Sequence, residues 1–280
     1  MGTLMMSPLR LRLWVCDMDK KEKINLPHVA MCSGGKDSVA TLILCKLHNE
    51  PLDEVVYAEV MWDDQTSGEV PEHKDFVYQI LKPCVESELK VPFTIVRGQG
   101  RYTNYVEFIK HHITKGPNQG RPYGLVLRGS CSMNAYGKLK AIKPYLQKTY
   151  PQGVNQYVGI AHDEISRLNT LNKQDGRISL LDKYGISEKG AIRLCKKFKL
   201  YSPIYQFSNR NGCWFCPNCK NSEIAHLVEE HPELGAKMVE MENWCNRHGA
   251  CYPYWKYGRS FKDKVRDLRK RGLIRRVLWY

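Results

Sequence analysis

Ser33-Gly34-Gly35-Lys36-Asp37-Ser38 constrains this chain more than any other stretch. It follows a short apolar run, His28 to Cys32. It precedes Asp37 to Leu47, where Val39, Leu42, Ile43 and Leu47 recur at helical spacing. The run reads as a strand feeding a glycine turn that opens a helix. Glycine lacks Cβ, so successive backbone N–H groups can turn toward one point. The helix N-terminus adds unpaired donors and a positive partial charge. Ser33 and Ser38 add hydroxyls, and Lys36 adds a full charge. Together they make a cup for a pyrophosphate group. The spacing is too short for the phosphate loop of kinases and GTPases. The competing reading is a tight turn that merely needs glycine.

Beyond the loop, β-rich runs alternate with helical patterns. Val55 to Trp62, Phe93 to Val96 and Gln156 to Ile160 read as strands, and Tyr123 to Leu127 as a short one. Pro71 to Leu81, Tyr105 to His112, Met133 to Lys148 and Glu188 to Phe198 read as helices. Such alternation predicts an α/β fold, a doubly wound parallel sheet, followed by a cysteine-rich helical C-terminal part. The expected division is an arm at 1–26, a nucleotide-binding α/β domain at 27–202, and a metal-binding and basic region at 203–280. Arg10 to Val15 reads as an edge strand or ordered arm. Its arginines lie inside the apolar run, unlike a secretory signal. No run has the length of a membrane span. A cytoplasmic protein without a membrane partner is expected.

Asp63 and Asp64 end the second strand, where ligands of open α/β sheets bind. A carboxylate there can hold magnesium or a ribose hydroxyl, or it can cap a turn. Gly212-Cys213-Trp214-Phe215-Cys216-Pro217-Asn218-Cys219 contains two successive C-x-x-C steps. Three thiolates so spaced converge on one centre, an iron–sulfur cluster or zinc. Cys245 and Cys251, flanking His248, lack that spacing and read as structural. Cys16, Cys32, Cys45, Cys84 and Cys195 read as small buried hydrophobes. Net charge is +14, and Lys256 to Tyr280 holds ten Lys or Arg against two Asp. A polyanion would suit this tail. Tyr252, Tyr254, Trp255 and Tyr257 precede it and offer rings for base stacking, or a packing seam.

The SGGKDS loop after an N-terminal strand resembles the PP-loop ATP pyrophosphatases. Within them the chain resembles the phosphoadenosine phosphosulfate reductase-like branch. Further stretches carry the likeness: Trp62-Asp63-Asp64 with Pro71-Glu72; Arg128-Gly129-Ser130-Cys131 with Leu139-Lys140 and Pro144; and Gly159-Ile160-Ala161-His162-Asp163-Glu164 with Arg167. The resemblance implies ATP and Mg2+ as ligands. Ser33, Gly34, Gly35, Lys36, Asp37 and Ser38 would hold the phosphates, with Lys36 and Asp37 catalytic. Asp163 and Glu164 would face the nucleotide or second substrate. Arg128 and Arg167 would bind that anionic substrate. Cys131 would join Cys213, Cys216 and Cys219 around a 4Fe–4S cluster, with zinc as the rival.

The same resemblance implies the reaction. ATP would be cleaved to AMP and pyrophosphate, and an acceptor adenylated for sulfur transfer, as in DNA phosphorothioation and tRNA thiolation enzymes. The acceptor would then be tRNA or DNA, and the sulfur donor a cysteine desulfurase. Two alternatives stand beside it. One is a sulfonucleotide reductase, although the Glu-Cys-Gly-type tail of those enzymes is missing. The other is a nucleotide-binding module without turnover.

Overall fold

A computed structural model describes residues 26–125, 131, 133–256 and 258–275. Arg128, Tyr257 and the Arg10 to Val15 arm lie outside the described residues. At the centre is a five-stranded, all-parallel sheet. Its strands are β1 (His28–Cys32), β2 (Glu54–Glu59), β3 (Phe93–Arg97), β4 (Asn155–Val158) and β5 (Arg177–Ile178), in the order β3-β2-β1-β4-β5. The chain winds outward from β1 in one direction and then restarts beside it in the other. The turn after β1 therefore opens at the switch point, where such sheets bind ligands.

Side-chain alternation divides the sheet into two faces. Ala30, Cys32, Val55, Tyr57, Phe93 and Tyr157 pack against α1 (Lys36–His48) and α2 (71–89). α6 (Leu180–Lys183) and α7 (Glu188–Lys197) complete that layer. Val29, Val56, Ala58 and Val96 face the other way, onto α4 (134–149). Helices cover both faces, so the fold is doubly wound α/β. Two shorter helices, α3 (Tyr105–Lys110) and α5 (Ile165–Leu171), lie in the connections.

The C-terminal part comprises α8 (Asn221–Glu230), α9 (Pro232–Arg247) and α10 (Phe261–Lys270). Their apolar faces meet Val60, Trp62, Tyr105 and Phe108 in one continuous core. That core runs across the expected boundary at residue 202. Trp214 packs at a tilt on Trp62, with ring centroids 4.6 Å apart, and Phe215 stacks on Tyr105 at 4.2 Å.

Several boundaries differ from the sequence reading. α2 does not stop at Leu81 but continues to Leu89 through wide π-type turns. Pro83 has no N–H to donate, and widened turns let the helix pass such a residue. Tyr123 to Leu125 forms no strand; Gly124 makes a single bridge to Tyr252. β5 is only two residues long. Trp255 is 2% exposed, and its indole N–H donates to the Phe215 carbonyl at 3.3 Å, so it is a core anchor and not a stacking platform.

Candidate functional site

The glycine loop lies between β1 and α1, with Gly35 as the helix N-cap. Gly34 has φ +71, and a Cβ there would come within 2.6 Å of Val77 Cγ2. Gly35 faces Asn211 and Tyr205, where a Cβ would meet Asn211 Oδ1 at 2.9 Å. Gly34 therefore demands glycine for its conformation, while a side chain at Gly35 would displace the Asn211 amide from the loop. Ser38 Oγ donates to the Gly35 carbonyl at 2.9 Å and lies 3.3 Å from Ser33 Oγ. These hydroxyls tie the two ends of the turn together.

Remote side chains hold the loop from outside. His73, buried on α2, lies with Nε2 2.9 Å from the Ser33 carbonyl and Nδ1 2.9 Å from Ser202 Oγ. A carbonyl can only accept, so Nε2 carries the proton and Nδ1 accepts from the serine. Burial lowers the His73 pKa, which keeps the ring neutral in this role. Asn211 Nδ2 donates to the same carbonyl at 2.9 Å, and the Lys36 N–H donates to Tyr205 Oη at 2.9 Å. His73, Tyr205 and Asn211 have no signature in the sequence that marks them as loop partners.

Lys36 Nζ pairs with Asp37 at 2.8 Å and with Glu188 at 2.7 Å. Burial opposes its charge, but these two carboxylates outweigh burial and raise its pKa. The Asp37 carboxyl is raised by burial against the pull of Lys36. Its Oδ1 is buried and has no hydrogen-bond partner among the described residues. Glu164 and Glu188 lie in electrostatic reach of it. Gly159 brings the end of β4 against the loop, where a Cβ would sit 2.6 Å from the Ser38 nitrogen. Asp163 Oδ1 accepts the Glu188 N–H at 2.9 Å and so sets the start of α7, from which Glu188 reaches Lys36. Arg167 pairs with Glu164 at 2.5 Å, and Glu164 also accepts the Ala161 N–H at 3.0 Å.

Asp63 and Asp64 are engaged elsewhere. Asp63 Oδ1 accepts the N–H groups of Gln65 and Thr66, and Oδ2 pairs with Lys237 at 3.1 Å. Asp64 accepts from Asn104 Nδ2 at 2.8 Å. The two carboxylates thus cap a turn and fasten it to α3 and α9.

The cysteine segment docks beside the loop. The Trp214 N–H donates to the Gly68 carbonyl at 3.0 Å, and Glu69 bridges to Cys213. Cys131, Cys213 and Cys219 pack against one core, and Cys213 lies in electrostatic reach of both Cys131 and Cys216. A hydrogen bond from Cys219 lowers the Cys216 pKa to about 6, with Arg210 nearby adding to the effect. Burial pushes the Cys213 thiol well up. Two cations serve the group. Arg210 donates to Cys219 Sγ at 3.5 Å, and Lys138 lies in reach of Cys131, Cys213, Cys216 and Glu69. Among the described residues no three of these four sulfurs lie within 4.8 Å of one another, the spacing of ligands on a single ion. The shared core and the adjacent positive charge are what the structure gives the cysteines in common. Cys245 is fully buried, and burial raises its thiol to about 12, as befits a packed hydrophobe.

No family model matches the chain. It is 26% identical over 227 residues, 77% of its length, to an uncharacterized protein of Methanocaldococcus jannaschii. The match spans only 41% of that relative. A search of solved structures finds the U34-tRNA thiolase NcsA of Methanococcus maripaludis with its 4Fe–4S cluster. That match has a TM-score of 0.38 and 15% identity, covering 89% of this chain and 72% of the other.

Proposed function

We propose that the chain cleaves ATP between the α and β phosphates, adenylates an oxygen of an acceptor, and transfers sulfur to the activated position. The hydrogen bond from Asn211 to the Ser33 carbonyl carries this reading. It seats the segment leading into Cys213 directly on the phosphate loop. The loop and the cysteine segment are thereby neighbours, which supports a reaction in which adenylation is followed by sulfur delivery.

The residues divide the work as follows. The loop and the first N–H groups of α1 bind the β and γ phosphates. Lys36, released from Asp37 and Glu188 by the stronger anion, holds the departing pyrophosphate. The acceptor oxygen attacks the α-phosphorus, a P–O bond forms, and the α–β bond breaks. Asp37, with its unpartnered oxygen, and Glu164 would hold Mg2+, which when bound offsets phosphate charge. Arg167 and Arg128 serve the anionic acceptor. The terminal sulfur of a donor persulfide, such as that of a cysteine desulfurase, then attacks the activated position as AMP leaves with the oxygen, giving an acceptor–S–S–donor disulfide. A second thiol cleaves that S–S bond, releasing the thiolated acceptor and leaving the two thiols as a disulfide. Cys131, Cys213, Cys216 and Cys219 would hold a 4Fe–4S cluster, which supplies an iron site for sulfur. The acceptor class we assign is nucleic acid, on the strength of the basic C-terminal helix.

The purified chain should release pyrophosphate and AMP from ATP. Lys36→Ala with Asp37→Ala should reduce that release by at least about 100-fold, the scale of losing a charge-stabilising group. Anaerobic protein should show a broad visible band that Cys216→Ser removes. Undiminished pyrophosphate release in the double variant would falsify the ATP reading. Sulfite release from a sulfonucleotide without ATP would instead favour the reductase.

A further inference from the structure

Away from the loop and the thiols, Glu72, His226 and His231 bring one carboxylate and two imidazoles together. Their ligand atoms all lie within 4.8 Å of one another. His226 Nε2 is 2.5 Å from Glu72 Oε1, and His231 Nε2 is 3.0 Å from the same oxygen. Glu72 comes from the first turn of α2, His226 from α8, and His231 from the corner where α8 meets α9.

We propose that these three side chains form a divalent transition-metal site, selective for Zn2+ over Mg2+, with one coordination position left for water. Three observations carry the assignment. The two histidines are separated by four residues, within the H-x(3–5)-H spacing of zinc ligands. Two imidazoles and one carboxylate form a borderline donor set that suits zinc and disfavours magnesium. The third concerns the carboxylate's other oxygen. A purely hydrogen-bonded trio would use Oε1 alone and leave Oε2 buried, and Oε2 indeed has no hydrogen-bond partner among the described residues. A cation beside the carboxylate removes that deficit. The His226 ring is already held for the task, stacked on Phe207 at 3.6 Å between centroids.

The ion would do more than fill a gap. Glu72 precedes His73, whose imidazole supports the Ser33 carbonyl. His226 lies one turn from Glu223, which pairs with Arg210, the partner of Cys219. Zinc would therefore tie the segment under the glycine loop to the helix beside the thiols. The site does not depend on the nature of the reaction and stands without the ATP reading.

The test uses full-length protein in three forms: wild type, Cys213→Ser/Cys216→Ser to disable the thiol quartet, and that double variant with His231→Asn added. Zn2+ binding is followed by calorimetry, and Co2+ substitution by absorption. We expect the cysteine-disabled protein to bind one Zn2+ per chain. Its Co2+ form should show weak visible bands without thiolate charge transfer. His231→Asn should weaken that binding by more than the roughly 10–100-fold caused by losing a mere outer-shell partner. Zn2+ should raise the melting temperature of the cysteine-disabled protein but not of the triple variant. Should His231→Asn fail to fold, Glu72→Gln serves in its place. Absence of Zn2+ binding in the cysteine-disabled protein, or equal affinity in the histidine variant, overturns the site and leaves the trio an ordinary hydrogen-bonded cluster.

Discussion

Gly159 shows how tightly single residues govern the site. Its hydrogen stands where a Cβ would lie 2.6 Å from the Ser38 nitrogen and 2.7 Å from the Asp37 carbonyl carbon. Both obstructing atoms are backbone, so no side-chain rotation relieves the contact. Gly159→Ala should cost about 1–3 kcal/mol of stability, the usual range for overpacking. It should also reduce ATP affinity more than global stability explains, because the strain falls on the phosphate loop itself. Isothermal titration with ATP beside a denaturation curve separates the two effects; unchanged affinity would show that the loop tolerates the shift. Residues of this kind were legible in the sequence only as letters. The glycines of SGGKDS signalled a turn because strand and helix flank them. The partners that hold the turn did not, since His73 and Asn211 are 40 and 178 residues away from Ser33. Asp63 was equally open: a carboxylate after a strand reads the same whether it binds a ligand or caps its own turn.

At the scale of elements, Glu242 fastens α10 to α9. Its carboxylate is 3% exposed and accepts the Trp255 N–H at 2.8 Å and the Phe261 N–H at 2.7 Å. Burial nonetheless raises its pKa to about 7, against the pull of those backbone donors. The folded value lies above the unfolded one, so the folded chain holds this proton more tightly. The resulting stability is complete below about pH 4.5 and is lost as pH rises through about 7. The full effect is about 3 kcal/mol, from the size of the shift. Urea midpoints of wild type should therefore fall between pH 5 and 8 by an amount that Glu242→Gln largely removes; parallel pH profiles for the two proteins would rule this out. Strands β1 to β4 and the main helices were legible from periodicity, because each buries a continuous face. β5 was not, since Arg177 and Ile178 are too few to show a period. α2 runs beyond Leu81 because its widened turns carry it past Pro83, and Val77, Leu81 and Val85 pack into the same core. Trp255 was left open between stacking and packing, because an aromatic cluster beside a basic tail has the same composition whether it faces inward or outward; its burial decides for packing. The C-x-x-C steps stand out in the sequence because such spacing suits a shared ligand centre.

For the whole molecule, the charge of +14 is the broadest property. Part of it is displayed on α10, where Phe261, Val265 and Leu268 are buried while Lys262, Arg266 and Lys270 face outward. If nucleic acid is the acceptor, its binding should weaken steeply with salt, each neutralised phosphate adding about 0.9 to the log–log slope for duplex DNA. Arg266→Glu with Lys270→Glu should lower that slope by roughly 2 or more without changing ATP affinity. Filter binding across a salt series reads it, and an unaltered slope would place the contact on another surface. The loop clamp described above also has a bearing on how the protein is made. A chain synthesised from its N-terminus has all five strands once Ile178 has left the ribosome. It still lacks Ser202, Tyr205 and Asn211, which steady His73, the Lys36 amide and the Ser33 carbonyl. The nascent sheet can collapse early, yet its glycine loop stays without these outer partners until the segment that bears the thiols begins to arrive. Completion of the loop clamp is thereby deferred to a late stage of biogenesis, when the cysteine segment is already being delivered.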